Sequence, residues 1–478
     1  MSEHTGYVSP FSARYASAKM QHIYSDSHRA ACWRRLWVIL AESEMELGLP
    51  VTKEQVEEMR AHIDDIDFSA IAAYEKQLRH DVMAHVHAFG DCCPTARPII
   101  HLGATSCYVG DNTDVLLMRE ALQLILARLL EVARALADFA KAYKDMPTLG
   151  YTHFQPAQPT TVGKRATLWL HDVLEDIRET QHVLDTLLPL GSKGTTGTQA
   201  SFLELFDGDY DKVKQLDLLC AKKMGFERAV PVSGQTYSRK QDTRALNLLA
   251  QIAQTAHKFS NDIRLLQHLK EIEEPFESKQ IGSSAMPYKR NPMRTERMAG
   301  ISRFIISNVQ NSAMTAAGQW LERTLDDSAN RRLSLAEGFL AADGLLVLFL
   351  NVAQGLVVYP KMIEKHLLEE LPFMATENLM MEAVRRGGDR QALHERIRVH
   401  SMEAGKRVKQ EGLDNDLLKR IALDDAFGLS HDEITGLLSP EDYTGCASMQ
   451  VVDFLKEEAQ PLLEKYKDVR IAAEDVRV

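Results

Sequence analysis

Five stretches of this chain hold apolar residues at three- and four-residue spacing for much longer than an ordinary globular helix requires. They run from Thr113 to about Asp145, Val162 to Leu188, Arg239 to Glu271, Met293 to Trp320 and Asn330 to Val358. In the first, Val115, Met118, Leu122, Leu126, Leu129, Ala133, Leu136, Ala140 and Tyr143 form one stripe. At 1.5 Å per residue it is a rod of about 50 Å, where the mean globular helix has about eleven or twelve residues. The spacing predicts an all-α fold around an elongated bundle that packs against further copies of itself.

Around these rods the chain falls into three segments. Residues 1–105 mix short helices with turns, among them a helix over Asp26 to Leu49. Residues 106–358 hold the rods. Tyr359-Pro360 marks a boundary, and residues 359–478 are helical, more charged and punctuated by Gly387-Gly388, Gly412 and Gly428. The 45% hydrophobic content suits a large core, and the net charge of −11 argues against a general nucleic-acid or anionic-membrane binder. Leu335 to Val358 is long enough for a bilayer. Glu337, Asp343, Asn351 and Gln354 inside it make a buried bundle helix the better reading. Six cysteines are too few for a disulfide scaffold. With no apolar signal core in MSEHTGYVSPFSARYAS and no tag in EDVRV, a reduced, cytoplasmic protein is expected.

The chemistry-bearing residues gather in the breaks between rods. Ile281 to Arg297 reads IGSSAMPYKRNPMRTER; Gly282 permits unusual backbone angles, while Pro287 and Pro292 interrupt helix and ladder alike. Hydroxyls beside cations on such a loop suit a chemistry of developing negative charge. The plainer alternative is a solvated turn. THFQPAQP, Thr152 to Pro159, holds His153 on a proline-fixed turn, a candidate acid. Gly191 to Ser201 reads GSKGTTGTQAS, a mobile or tightly turned backbone that is neither a Walker loop nor a Rossmann turn. RHDVMAHVH, Arg79 to His87, invites a metal, but His80 and His87 stand two turns apart on a helix and no HExxH is present. In HLGATSCYVGDNTD, His101 to Asp114, Gly103, Gly110 and Asn112 are expected to break regular structure, with Asp111 or Asn112 capping the next helix. Arg323, Ser328 and Arg332 in ERTLDDSANRR can clamp an anion if Ser328 begins a helix; a capped helix start with exposed charges is the alternative.

GSSAMPYKRNP, Gly282 to Pro292, resembles without a gap the signature loop GSSxMPxKxNP of the fumarase/aspartase superfamily. RHDVMAHVH, HLGATSCYVGDNTD, TLDDSANRR and PFMATEN narrow the resemblance to the adenylosuccinate lyase family in its animal form. The resemblance runs from about Arg14 to beyond Tyr359. It implies three mostly helical domains, 1–105, 106–358 and 359–478, whose central bundles join four copies in a twenty-helix core. It implies active sites shared between subunits of a homotetramer, and elimination of fumarate from two purine nucleotide substrates in purine biosynthesis. Ser283 is then the base, Lys289 stabilises its anion, His153 is the general acid and Glu296 orients that histidine. The phosphate matches to Arg14, Tyr15, Arg323, Ser328 and Arg332, and further substrate contacts to Arg79, His80, Asp81, Thr105, Ser106, Gln235 and Arg297. No metal or cofactor is implied. Two other readings are argininosuccinate lyase, for which a phosphate clamp has no use, and a non-catalytic crystallin-like protein on the same scaffold.

Overall fold

The computed structural model describes residues 6–277, 279–472 and 474; the first five residues and the end of the EDVRV stretch lie outside them. Helices dominate: α1 (Asp26–Glu46), α2 (Asp81–Cys92), α3 (Ser106–Ala142), α4 (Val162–Thr186), α5 (Lys240–His268), α6 (Met293–Ala317), α7 (Asp326–Gly355), α8 (Pro360–Met374) and α9 (Arg390–Glu411), with shorter helices between them. The five expected rods are α3 to α7. They pack side by side around Leu122, Trp169, Phe259, Phe339 and Phe349, all buried. The Trp169 ring meets Phe259 edge-on at 5.2 Å, and Phe259 meets Phe349 at 4.6 Å. Truncating such a ring to alanine costs about 3–5 kcal/mol.

α7 is apolar and long enough to cross a membrane, yet 83% of its most apolar window is buried inside the protein. Its Asp343 is fully buried and held by the Arg128 guanidinium and by the Ser17 N–H at 2.6 Å. A charge in that position is tolerable because it is paired.

α3 begins at Ser106, earlier than the expected Thr113. Gly110 and Asn112 do not break it, and neither Asp111 nor Asn112 caps it. Asn112 instead donates to the Tyr108 carbonyl at 2.8 Å and to Gly191 at 3.1 Å. Asp111 accepts from Arg239 at 3.0 Å. These long-range partners settle the conformation where local preference alone favours a cap.

Two small sheets interrupt the helices. Strands β1 (Pro147–Thr152) and β2 (Gln155–Thr161) form an antiparallel hairpin. His153 and Phe154 make its turn, with φ of 53° and 57°. Paired positive φ is the two-residue turn that matches strand twist, normally an Asn-Gly position. Strand β3 (Ile272–Glu273) pairs with β4 (Val357–Val358), tying the end of α5 to the end of α7. A second core joins Trp33, Trp37 and Phe89 of α1 and α2 to Phe202, Leu216 and Cys220. A third, around Leu379, Leu393, Leu417 and Phe427, lies in the last segment.

Candidate active site

The starts of α3, α5 and α7 lie together at one end of the bundle, drawn in by a buried ionic network. Arg239 holds Asp111 through two bonds of 3.0 and 3.1 Å, and Asp327 through one of 2.7 Å. Arg331 binds Asp242 at 2.6 Å, Asp114 at 2.8 Å and the Tyr237 hydroxyl at 2.6 Å. Burial works to raise Asp114, but Arg331 and Arg29 outweigh it and hold the carboxyl at about 2. Hydrophobic periodicity does not announce this network. Its signal was present in Asp111/Asp114, Arg239/Asp242 and Asp327/Arg331, charges three or four apart near the starts of the rods.

On the solvent side of the network lie most of the expected substrate residues. Ser328 stands in the first turn of α7, which starts at Asp326. Arg332 reaches Asp81 at 3.3 Å, and Arg323 stands 3.6 Å from Asp327. His80 caps α2 by accepting the Met83 N–H at 3.3 Å, and its Nε2 lies 3.4 Å from the Ser106 hydroxyl. Thr105 precedes the first turn of α3 and makes no side-chain cap. Gln235 is pinned through its N–H to the Glu322 carbonyl at 3.0 Å and receives the Cys107 thiol at 3.6 Å. Arg79 is exposed, in the left-handed region between two helices. Helix N-termini, arginines and hydroxyls thus face one surface. Unpaired N–H groups and dipoles at helix starts attract an anion.

The other histidines of RHDVMAHVH pack rather than ligate. His85 lies against Trp33 at 4.7 Å and His87 against Tyr74 at 5.2 Å. His101 accepts the Trp37 indole N–H at 2.9 Å, and burial pushes it down to about 4. The GSKGTTGTQAS turn is tight. Ser192 and Lys193 are buried against Asp217, and a Cβ on Gly197 would stand 1.9 Å from the Ser233 carbonyl.

The signature loop occupies the opposite end, between the end of α5 and the start of α6. Gln267 near the end of α5 donates to the Arg290 carbonyl at 3.0 Å. Buried Glu274 caps α6 by accepting the Arg294 and Thr295 N–H groups at 2.9 and 2.8 Å. Asn291 closes the neck of the loop on the Gly282 carbonyl at 2.7 Å. Arg290 anchors the loop to Tyr359 and Glu273, at 3.4 and 3.5 Å. Within the loop the Ser283 hydroxyl oxygen accepts the Met286 N–H at 3.1 Å and the Ala285 N–H at 3.4 Å. Two backbone donors on one serine oxygen stabilise its alkoxide. Lys289 and Glu296 are exposed, and Arg297 is half-buried with a buried guanidinium nitrogen that has no partner among the described residues. His153, at the tip of the hairpin, is exposed at this same end of the bundle.

Arg14 and Tyr15 belong to neither group. The Tyr15 side chain packs beside Gly344, midway along α7. Sixteen residues separate Gly344 from Ser328, about 24 Å of helix. One chain therefore does not bring Arg14 and Tyr15 to Arg323, Ser328 and Arg332. Nor does it bring Ser283 to His80, since α5 with its 29 residues spans about 43 Å between the two ends.

Comparison with known proteins agrees with this architecture. Residues 14–307 match the family model described as lyase, and residues 372–454 the one described as adenylosuccinate lyase C-terminus. The chain is 50% identical to adenylosuccinate lyase of Saccharomyces cerevisiae over 98% of both chains. It is 49% identical to that of Schizosaccharomyces pombe, again over 98% of each. The structure of 3-carboxy-cis,cis-muconate lactonizing enzyme from Pseudomonas putida superposes with a TM-score of 0.81 at 24% identity, covering 94% of this chain and 99% of that one. The last likeness shows the fold; the first four show more, and the chain belongs to the adenylosuccinate lyase family of the fumarase/aspartase superfamily.

Proposed function

We propose that this lyase eliminates fumarate from adenylosuccinate, giving AMP, and from succinylaminoimidazole carboxamide ribotide, giving the aminoimidazole carboxamide ribotide. The observation that carries this reading is the convergence of helix starts with Arg323, Ser328 and Arg332 into an anion-binding face, which suits a nucleotide phosphate. Elimination begins with loss of the proton on the carbon next to a carboxylate and builds a doubly charged aci-carboxylate. Ser283 takes that proton, its oxyanion supported by the Met286 and Ala285 N–H groups and by Lys289. His153 protonates the departing nitrogen, and Glu296 orients the imidazole. Arg79, His80, Asp81, Thr105, Ser106, Gln235 and Arg297 hold the remainder of the substrate, and Arg14 and Tyr15 join the phosphate clamp. No step calls for a metal or cofactor.

Because these groups stand at both ends and the middle of one bundle, the reading requires sites built between chains. We infer a homotetramer with a twenty-helix core in which antiparallel bundles bring the loop end of one chain to the anion face of another. Three domains, divided near residues 105 and 358, and cytoplasmic residence complete the proposal. The test is fumarate release by the purified protein, offered adenylosuccinate and argininosuccinate in parallel. Release from adenylosuccinate alone is expected. Release from argininosuccinate alone overturns the phosphate clamp, and release from neither by a folded tetramer overturns the enzymatic reading.

A further inference from the structure

We propose that His28, Cys32 and Glu120 form a binding site for one zinc-type divalent cation, outside the elimination site. His28 and Cys32 stand four residues apart on α1, on one face of the helix. Glu120 reaches them from α3. The His28 Nε2 atom lies 2.8 Å from a Glu120 carboxylate oxygen and 3.9 Å from the Cys32 sulfur. All three ligand atoms fall within 4.8 Å of one another. Ligand pairs around tetrahedral zinc stand about 3.2–3.7 Å apart, so adjustments below about 1 Å bring these atoms onto one ion.

The donor set decides the class of metal. Imidazole, thiolate and carboxylate suit zinc and its soft neighbours, whereas magnesium and calcium take oxygen. A simple ion pair accounts for His28 and Glu120 but leaves unexplained why a buried thiol is aimed at the same ring nitrogen. Of the nearby cations, Arg29 pairs with Asp114 at 2.7 Å, while Arg35, 3.6 Å from Asp64, also stands beside the Cys32 thiol. Glu120, with a side chain 37% exposed, provides the way in. The Tyr24 hydroxyl, buried and without a hydrogen-bond partner among the described residues, has Asp114 and Glu120 among the charges that act on it. On binding, the Cys32 thiol releases its proton to solvent and the thiolate closes on the metal, with water as the fourth ligand.

The test uses the full-length protein. Equilibrium dialysis against zinc should give one bound equivalent per chain by metal analysis. Cobalt(II) should give a thiolate-to-cobalt charge-transfer absorption. Cys32→Ser should abolish that band even though Cys92 and Cys446 remain accessible. Glu120→Gln, at a partly exposed position that spares the fold, should weaken zinc binding about tenfold or more with an unchanged circular dichroism spectrum. No uptake by the unaltered protein, a band that survives Cys32→Ser, or equal affinity in Glu120→Gln would each overturn the site.

Discussion

Two inactive variants of this chain should restore each other. Take Ser283→Ala at the loop end and the double variant Ser328→Ala, Arg332→Ala at the anion face. Within one chain these ends are separated by α5, whose 29 residues span about 43 Å. A mononucleotide is far shorter, so one substrate cannot touch both groups of the same chain. In the proposed homotetramer each variant alone should then be nearly inactive, since every site meets one damaged group. In a randomly assembled 1:1 mixture, a site works when its Ser283 comes from one variant and its Arg332 from the other. Each choice has an even chance, so kcat/KM should return to about one quarter of the unaltered value per site. The assay is fumarate release after joint refolding, with hybrid tetramers verified by native mass spectrometry. A verified hybrid population no more active than the two parents together would refute the division of the site between chains.

Three further perturbations test the local arguments. Gly282→Ala places a Cβ 2.2 Å from the Lys289 carbonyl oxygen, so the loop neck must open; kcat should fall about tenfold or more with little change in melting temperature, and unaltered kcat would show that the neck is not needed. Arg239→Met leaves buried Asp111 and Asp327 without their shared cation; a loss of about 3–5 kcal/mol in urea unfolding is expected, whereas a loss below about 1 kcal/mol would show that the network does not hold the helix starts. Glu44 is buried with both carboxylate oxygens unpartnered among the described residues, and burial pushes it up to about 9. Its folded pKa lies above the unfolded one, so its contribution is complete below about pH 4.3 and is lost as pH rises toward 9. Between pH 5 and 8 the unaltered protein should lose up to about 4 kcal/mol more than Glu44→Gln; parallel urea midpoints for the two would refute this.

The five rods were legible because a stripe repeated for thirty residues reports its own secondary structure, and α7 was placed in the core by the acids within its apolar run. The signature loop was legible because its glycine and prolines forbid continuation. The β1–β2 hairpin was not, because its turn uses His153 and Phe154 at positive φ rather than the glycine that announces such a turn. The helical course of Asp111 and Asn112 was hidden for a related reason: their side chains are held by Arg239 and Gly191, far away in sequence. Spacing reports what a segment does with itself, and these residues answer to other segments.

One long-range fact, however, follows from counting. Rods joined in succession and packed side by side alternate in direction, so successive breaks fall at alternate ends of the bundle. The hairpin after α3 and the signature loop after α5 must share one end; the GSKGTTGTQAS turn after α4 and the ERTLDDSANRR turn after α6 must share the other. Contacts between Asn112 and Gly191, and between Gln235 and Glu322, bear out this parity. Lengthening a break would not change the count, and shortening the rods enough to merge the ends would destroy the bundle. Ser283 and Ser328 are therefore kept apart by the same stripes that build the core. The proposed reaction, which needs both, therefore calls for a second chain laid antiparallel to the first, and rods of this length would give such an association its surface.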